Sequence, residues 1–343
     1  MADDLTSILV IVLIVMAIAL AFSIGANDET LSALVGAGVL KFKLALFIGG
    51  VAIGAGMIFF SGGFVAKTVG SDILGEGITY TTIMLLTVLI SSILWLVVGS
   101  FAGIPLSSTH SLVGSVVGVL IVYAIFQGGV NPDTALNWTK LGNVVLSWFL
   151  SPLFGLIITF LLFKLIAKLY LSRLKGLNQI ELSEKHFKWL LLVGVIFAEI
   201  WVGANSGEAL GILYGLLDNG SLNLTQYFTY SIICGIFACV GIYFAARYVI
   251  RNLASHMVDS RPSEGLIIQM SSAIILMVAT ILGLPISHSH VIVFCIIGMS
   301  MAQKKEVDYK ALRKMGIYWV LTFPIAALLA GILYLGFFSF GFS

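Results

Sequence analysis

Asn27-Asp28 and Asn205-Ser206 each follow a Gly-Ala pair, and each is answered downstream by a proline with a run of hydroxyls and histidine. The downstream segments read Gly103-Ile104-Pro105-Leu106-Ser107-Ser108-Thr109-His110 and Gly283-Leu284-Pro285-Ile286-Ser287-His288-Ser289-His290. Amide and hydroxyl groups donate hydrogen bonds to an anion, and carboxylate and amide oxygens are hard ligands for a cation. No Lys or Arg lies within any of the four segments. An anion held there is therefore held by backbone N–H, hydroxyl and amide donors, with a bound cation as the available counter-charge, and Asp28, Asn27 and Asn205 offer that cation its oxygens. From Asn27 to Pro105 is 78 residues and from Asn205 to Pro285 is 80, in a chain of 343. Each copy fills half the chain, and an internal duplication of this kind in a membrane protein places the site at the repeat interface.

The elements that position these residues are apolar. The chain is 59% hydrophobic and 10% charged, whereas a soluble domain carries about a quarter charged residues. Apolar runs cover 7–24, 44–61, 82–102, 112–127, 143–163, 189–202, 226–246, 266–284, 291–302 and 316–341. Most approach the length that crosses about 30 Å of hydrocarbon as helix. The short ones adjoin the motifs, as half-helices ending inside a membrane would. Gly25 and Gly203 are expected to let the chain leave helical geometry, Asn, Asp and Ser to cap the segments that follow near Thr30 to Leu40 and Glu208 to Leu217, and Pro105 and Pro285 to start helices at the hydroxyls. Four helix amino termini would converge near the midplane and favour an anion. A single break of this sort is explained by a kink with a hydroxyl satisfying a local carbonyl; matched breaks in two copies point to a site.

Loop charges sort into two sides. Lys41 and Lys43 have as counterpart Asp218 to Ser221, which lacks a basic residue; Asp72 and Glu76 correspond to Arg247, Arg251 and Arg261; and the single Lys140 corresponds to Lys304, Lys305, Lys310, Arg313 and Lys314. By the positive-inside rule the halves are inverted relative to each other, with both termini outside and the linker cytoplasmic, Lys67 on the outer side being a mild exception. The chain divides into a first membrane repeat at 1–170, a cytoplasmic linker at 171–188 and a second, inverted repeat at 189–343. The acidic start Met1-Ala2-Asp3-Asp4 lacks the basic region of a secretory signal, so 7–24 reads as a retained helix.

Asp28, Glu29, Glu199 and Glu208 adjoin or lie within apolar runs, and intramembrane carboxylates are costly enough to be treated as functional; Glu29 and Glu199 equally fit a water-filled vestibule. His288 and His290 are two apart, on different helix faces, with no acid or Cys beside them, which disfavours a metal. Cys234, Cys239 and Cys295 read as packing residues, and Gly49, Gly50, Gly54 and Gly56 as a close helix contact. No nucleophile stands with its base at any motif, so an enzyme is not expected.

These residues resemble the inorganic phosphate transporters, the family of low-affinity phosphate permeases, sodium–phosphate symporters and some sulfate permeases. Its signature reads approximately GANDVANA in each repeat, with a downstream GxPxS[ST][ST]H. Gly25 to Asp28 and Gly103 to His110 fit it well, as do Gly203 to Asn205 and Gly283 to His290 with substitutions. The resemblance implies an all-α polytopic membrane protein, two inverted-topology repeats whose broken or re-entrant helices meet near the midplane. It implies substrate binding by Asn27, Ser107, Ser108, Thr109, Asn205, Ser206, Ser287, His288 and Ser289, and a coupling ion, Na⁺ or H⁺, at Asp28, Asn27, Asn205 and Glu208. The departures are specific. Ser206 replaces the second signature Asp, Leu31 and Ala209 replace the second Asn, and His288 replaces a hydroxyl residue. Sodium ligands are thereby fewer, Glu208 or Glu29 stands to compensate, and His288 opens proton coupling. Asp28 as an acceptor favours protonated phosphate over fully ionised sulfate. The expected activity is secondary import of phosphate by alternating access, with a sulfate permease or an anion channel as alternatives. No cofactor beyond a bound Na⁺ is expected. The expected partners are phosphate or sulfate, the bilayer of the cell membrane and further copies in a homo-oligomer, without nucleic acid.

Overall fold

In the computed structural model the described residues, which are 2–28, 30–101, 106–126, 131–247, 250, 261–307 and 309–340, form helices joined by loops. Glu29 and the segment Gly103 to Pro105 lie outside them. The helices are α1 (Ala2–Ala26), α2 (Ser32–Gly36), α3 (Phe42–Phe59), α4 (Phe64–Lys67), α5 (Thr82–Phe101), α6 (Ser108–Phe126), α7 (Pro132–Ala135), α8 (Trp138–Leu169), α9 (Leu177–Asn205), α10 (Gly207–Asp218), α11 (Leu224–Phe244), α12 (Pro262–Ile281), α13 (His288–Gln303) and α14 (Tyr309–Ser339). Eight apolar spans among the described residues are long enough to cross a membrane, and the shorter apolar helices Thr82–Val98 and His288–Gln303 adjoin the two hydroxyl motifs. Large apolar side chains face outward along the spans, among them Phe59, Val193, Leu328 and Ile332, each more than 60% exposed. In water such a surface would aggregate; against lipid it is the expected exterior. The polar residues 177–188 form the first turns of α9.

Packing relations recur between the halves. Helix α3 lies along α9 as α11 lies along α1, α6 packs on α14 as α13 packs on α8, and α3 meets α11 between them. One pair breaks the match: α9 runs against α12 over much of its length, whereas α1 touches α5 sparsely.

Glycine makes these crossings possible. A Cβ on Gly54 would stand 2.6 Å from the Gly235 carbonyl oxygen, one on Gly56 2.0 Å from that of Ile200, and one on Gly25 2.0 Å from that of Ala238. The sequence reading gave Gly25 and Gly203 the task of ending their helices. Both lie inside α1 and α9, and what requires glycine is backbone-to-backbone contact with α11 and α3.

The loops gather into two groups. In one, Asp72 pairs with Lys67 at 3.7 Å and Lys140 at 3.6 Å, Gly75 N–H donates to the Ala135 carbonyl at 2.9 Å, and Asn219 Nδ2 donates to the Tyr80 carbonyl at 3.0 Å. In the other, Ser263 donates its N–H and its hydroxyl to Glu184 at 3.0 and 2.7 Å, and Lys305 stands 4.0 Å from Glu264.

Candidate functional site

The motif segments meet at one cavity of about 410 Å³. Asn27, Asp28, Ser107, Ser108, Thr109, Asn205, Ser206, Glu208, Ser287, His288 and Ser289 all border it, together with Leu20, Ser23 and Ile24 of α1 and Leu96 of α5. No Lys or Arg is among its lining residues. The cavity extends between α1 and α5, the loosely packed pair.

The Pro285 loop is built by side chains from three other elements. Thr68 Oγ1 donates to the Gly283 carbonyl at 2.6 Å, Asn205 Nδ2 to that of Leu284 at 3.1 Å, and Trp148 Nε1 to that of Pro285 at 2.8 Å. Asn205 Oδ1 accepts the Ile286 N–H at 3.0 Å, and Asn205 Nδ2 also donates to Thr280 Oγ1 at 2.9 Å. Asn205 thus holds the loop with both ends of its amide while also bordering the cavity. Asn27 is different: it is exposed, and its Nδ2 donates back along α1 to the Ser23 carbonyl at 3.0 Å.

Helix caps also depart from the sequence reading. Ser206 precedes α10 without capping it, because its hydroxyl donates to the Val202 carbonyl at 2.7 Å. Ser287 precedes α13 without a side-chain cap. Both helix starts therefore keep their backbone donors unclaimed by a cap, and with charge-attracting dipole ends they are suited to an anion. At α6, Ser107 Oγ accepts the His110 N–H at 3.3 Å and acts as the cap. Helix α2 has five residues and begins at Ser32 without a side-chain cap, so three amino termini of substance converge, rather than four. Asp28 closes a local turn, its Oδ2 accepting the Thr30 N–H at 3.1 Å and its Oδ1 the Thr30 hydroxyl at 3.0 Å.

Acids outnumber bases here. Asp28 is 5% exposed and Glu208 likewise. Glu199, which the sequence leaves open between a functional and a vestibule role, is fully buried and sits against Asp28. Two buried carboxyls in contact repel unless a proton or a cation lies with them. Ser108 and Thr109 both donate to Glu208 Oε1 at 2.8 Å. Ser287 and Ser289 border the cavity, while His288 Nε2 is buried without a hydrogen-bond partner among the described residues. The histidines that close the motifs stack on tryptophan: His110 lies 4.0 Å from Trp148, His290 3.8 Å from Trp319, and the two imidazoles 4.8 Å from each other.

A model of the phosphate transporter family matches residues 24–330, from the first Asn-Asp motif through the second hydroxyl loop and into α14. The chain belongs to the phosphate transporter family. Relatives within the phosphate transporter family include a "Probable low-affinity inorganic phosphate transporter" of Bacillus subtilis, 26% identical with 96% of this chain and 98% of that one covered. A protein of the same description from Rhizobium meliloti is 26% identical, covering 95% and 96%. A solved structure titled "The sodium-dependent phosphate transporter" superposes with a TM-score of 0.81 over 96% of this chain and 99% of that one, at 23% identity; it shares the fold. The chain is a multi-pass membrane protein of a transporter family, not an enzyme.

Proposed function

We propose that the chain is a secondary transporter that imports inorganic phosphate by alternating access, coupled to Na⁺ or H⁺, and built from two inverted repeats. The observation that carries this is a cavity where segments from both halves meet, with hydroxyl and helix-terminal donors, buried carboxyls and no Lys or Arg among its described lining residues. Donors of that kind bind an oxyanion, and the acids beside them repel it unless a cation or proton enters too. Coupling follows from that electrostatic requirement. The family membership and the names of the relatives support phosphate as the anion; sulfate, which carries no proton at neutral pH, is the runner-up. The unequal pairs support alternating access. If α1–α5 and α9–α12 are equivalent elements of inverted repeats, exchanging tight and loose packing between them moves the opening from one side of the membrane to the other.

Removal of a donor tests the binding role. Ser289→Ala takes away one hydroxyl facing the cavity, and losing a hydrogen bond to a charged partner costs about 1.5 to 3 kcal/mol, hence roughly 10- to 150-fold in phosphate affinity. Equilibrium binding of labelled phosphate to purified protein measures it; unchanged affinity would leave the second hydroxyl loop as a helix start alone.

The topology is tested by labelling. With Cys239→Ser removing the partly exposed thiol, Asp133→Cys should react with an impermeant maleimide from outside the cell and Asn178→Cys only after permeabilisation, both being exposed positions. Equal reaction of both from outside would defeat the inverted arrangement.

A further inference from the structure

Glu208 borders the cavity and holds a fixed acceptor oxygen without a hydrogen-bond partner among the described residues. Glu208 stands in the first turn of α10, 5% exposed. Its Oε1 takes the hydroxyls of Ser108 and Thr109, each at 2.8 Å, which locks the carboxylate in place. Its Oε2 is buried and has no hydrogen-bond partner among the described residues. Asp28 differs, since each of its oxygens already accepts from Thr30. An ionised carboxylate has no proton to give, so a guest that meets Oε2 has to supply a donor. A buried acceptor left without one costs free energy, and two acceptors pressed together cost more.

We propose that Glu208 is the specificity-determining residue of the site, admitting tetrahedral oxyanions that carry an O–H and rejecting those that do not. The substrate hydroxyl donates to Oε2, while the oxyanion's other oxygens accept from Ser287, Ser289 and the start of α13. Hydrogen phosphate and hydrogen arsenate have that O–H at neutral pH. Sulfate has acceptors only and faces Oε2 with none to give. Sites built to hydrogen-bond a substrate hydroxyl reject analogues lacking it by roughly 10⁴-fold. The inference rests on the transport reading above and adds to it the residue and the chemistry of selection. In sequence, Glu208 occupies a position where the family signature has alanine, so the signature alone gives no hint of this role.

The test is uptake of labelled phosphate by the purified full-length protein in liposomes, with unlabelled arsenate or sulfate in competition. In the wild type, arsenate should compete at concentrations near those of phosphate, and sulfate should fail at an excess of about 10³-fold. Glu208→Gln offers an amide N–H₂ at the place of Oε2; phosphate affinity should fall and sulfate should now compete, narrowing the selectivity by about 100-fold or more. Glu208→Asp keeps an acceptor and should keep the rejection of sulfate with weaker uptake. Sulfate competing as well as arsenate in the wild type overturns the proposal without recourse to any variant, as does a Glu208→Gln protein that takes up phosphate with sulfate rejection intact. A wild type that takes up phosphate but fails either comparison leaves the transport reading standing; one that takes up no oxyanion removes both.

Discussion

Asp28→Asn should abolish gradient-driven phosphate uptake. The change keeps the size of the side chain and one carbonyl oxygen while deleting a charge that is 5% exposed and beside a fully buried glutamic acid. A unit charge about 4 Å from a bound cation at an effective dielectric of 20 contributes roughly 4 kcal/mol, close to a thousandfold in cation affinity. Asn205 is engaged on the Pro285 loop and Ser206 on the Val202 carbonyl, so neither motif residue of the second half replaces it. Uptake into liposomes with an imposed Na⁺ or H⁺ gradient measures the loss. Full coupled uptake by the variant would reduce Asp28 to the closer of the Thr30 turn. Ser206→Asp should strengthen Na⁺ dependence if Asp28 ligates sodium, and should leave it unchanged if Asp28 handles a proton.

A large effect on folding is expected at Gly203. An added Cβ there would lie 2.0 Å from the Ile53 carbonyl oxygen and 2.9 Å from its carbon. Both contacts are backbone, so no rotamer change relieves them, and α3 and α9 must move apart. Overpacking in a close-packed interior costs about 1 to 3 kcal/mol when side chains can shift; here the cost should exceed that. The same crossing positions Asn205, two residues on. Gly203→Ala should therefore fail to give a monodisperse peak in detergent, while Gly142→Ala, with open space around it, should behave as wild type. A Gly203→Ala protein with wild-type elution and melting would mean that α3 and α9 have slack the structure does not show.

Much of the site was legible in the sequence because polar residues in apolar runs are expensive and therefore conspicuous. Asn27, Asp28, Ser107 to Thr109 and Ser287 to Ser289 stood out for that reason, and the structure brings them to one cavity. Roles were harder than places. Asn205 looked like a ligand and holds a loop 79 to 81 residues away, and Trp148 and Thr68, which hold the same loop, carry no motif. Glu199 is left open by the sequence between a functional acid and a vestibule residue because burial beside Asp28 depends on how α9 meets the Asp28 turn, which periodicity does not reveal. The partnership of Ser108 and Thr109 with Glu208, 100 and 99 residues away, is equally invisible along the chain. Gly203 was read for its conformational freedom, when the demand on it comes from a neighbouring helix.

Phosphate flux into liposomes that contain only the purified protein bears on all of this most directly. With labelled phosphate outside and a Na⁺ or H⁺ gradient directed inward, uptake should saturate with phosphate, accumulate above the external concentration, and collapse when the gradient is dissipated. Flux that rises linearly with phosphate, follows its electrochemical potential alone and ignores both cation gradients would contradict a coupled carrier and indicate an anion channel.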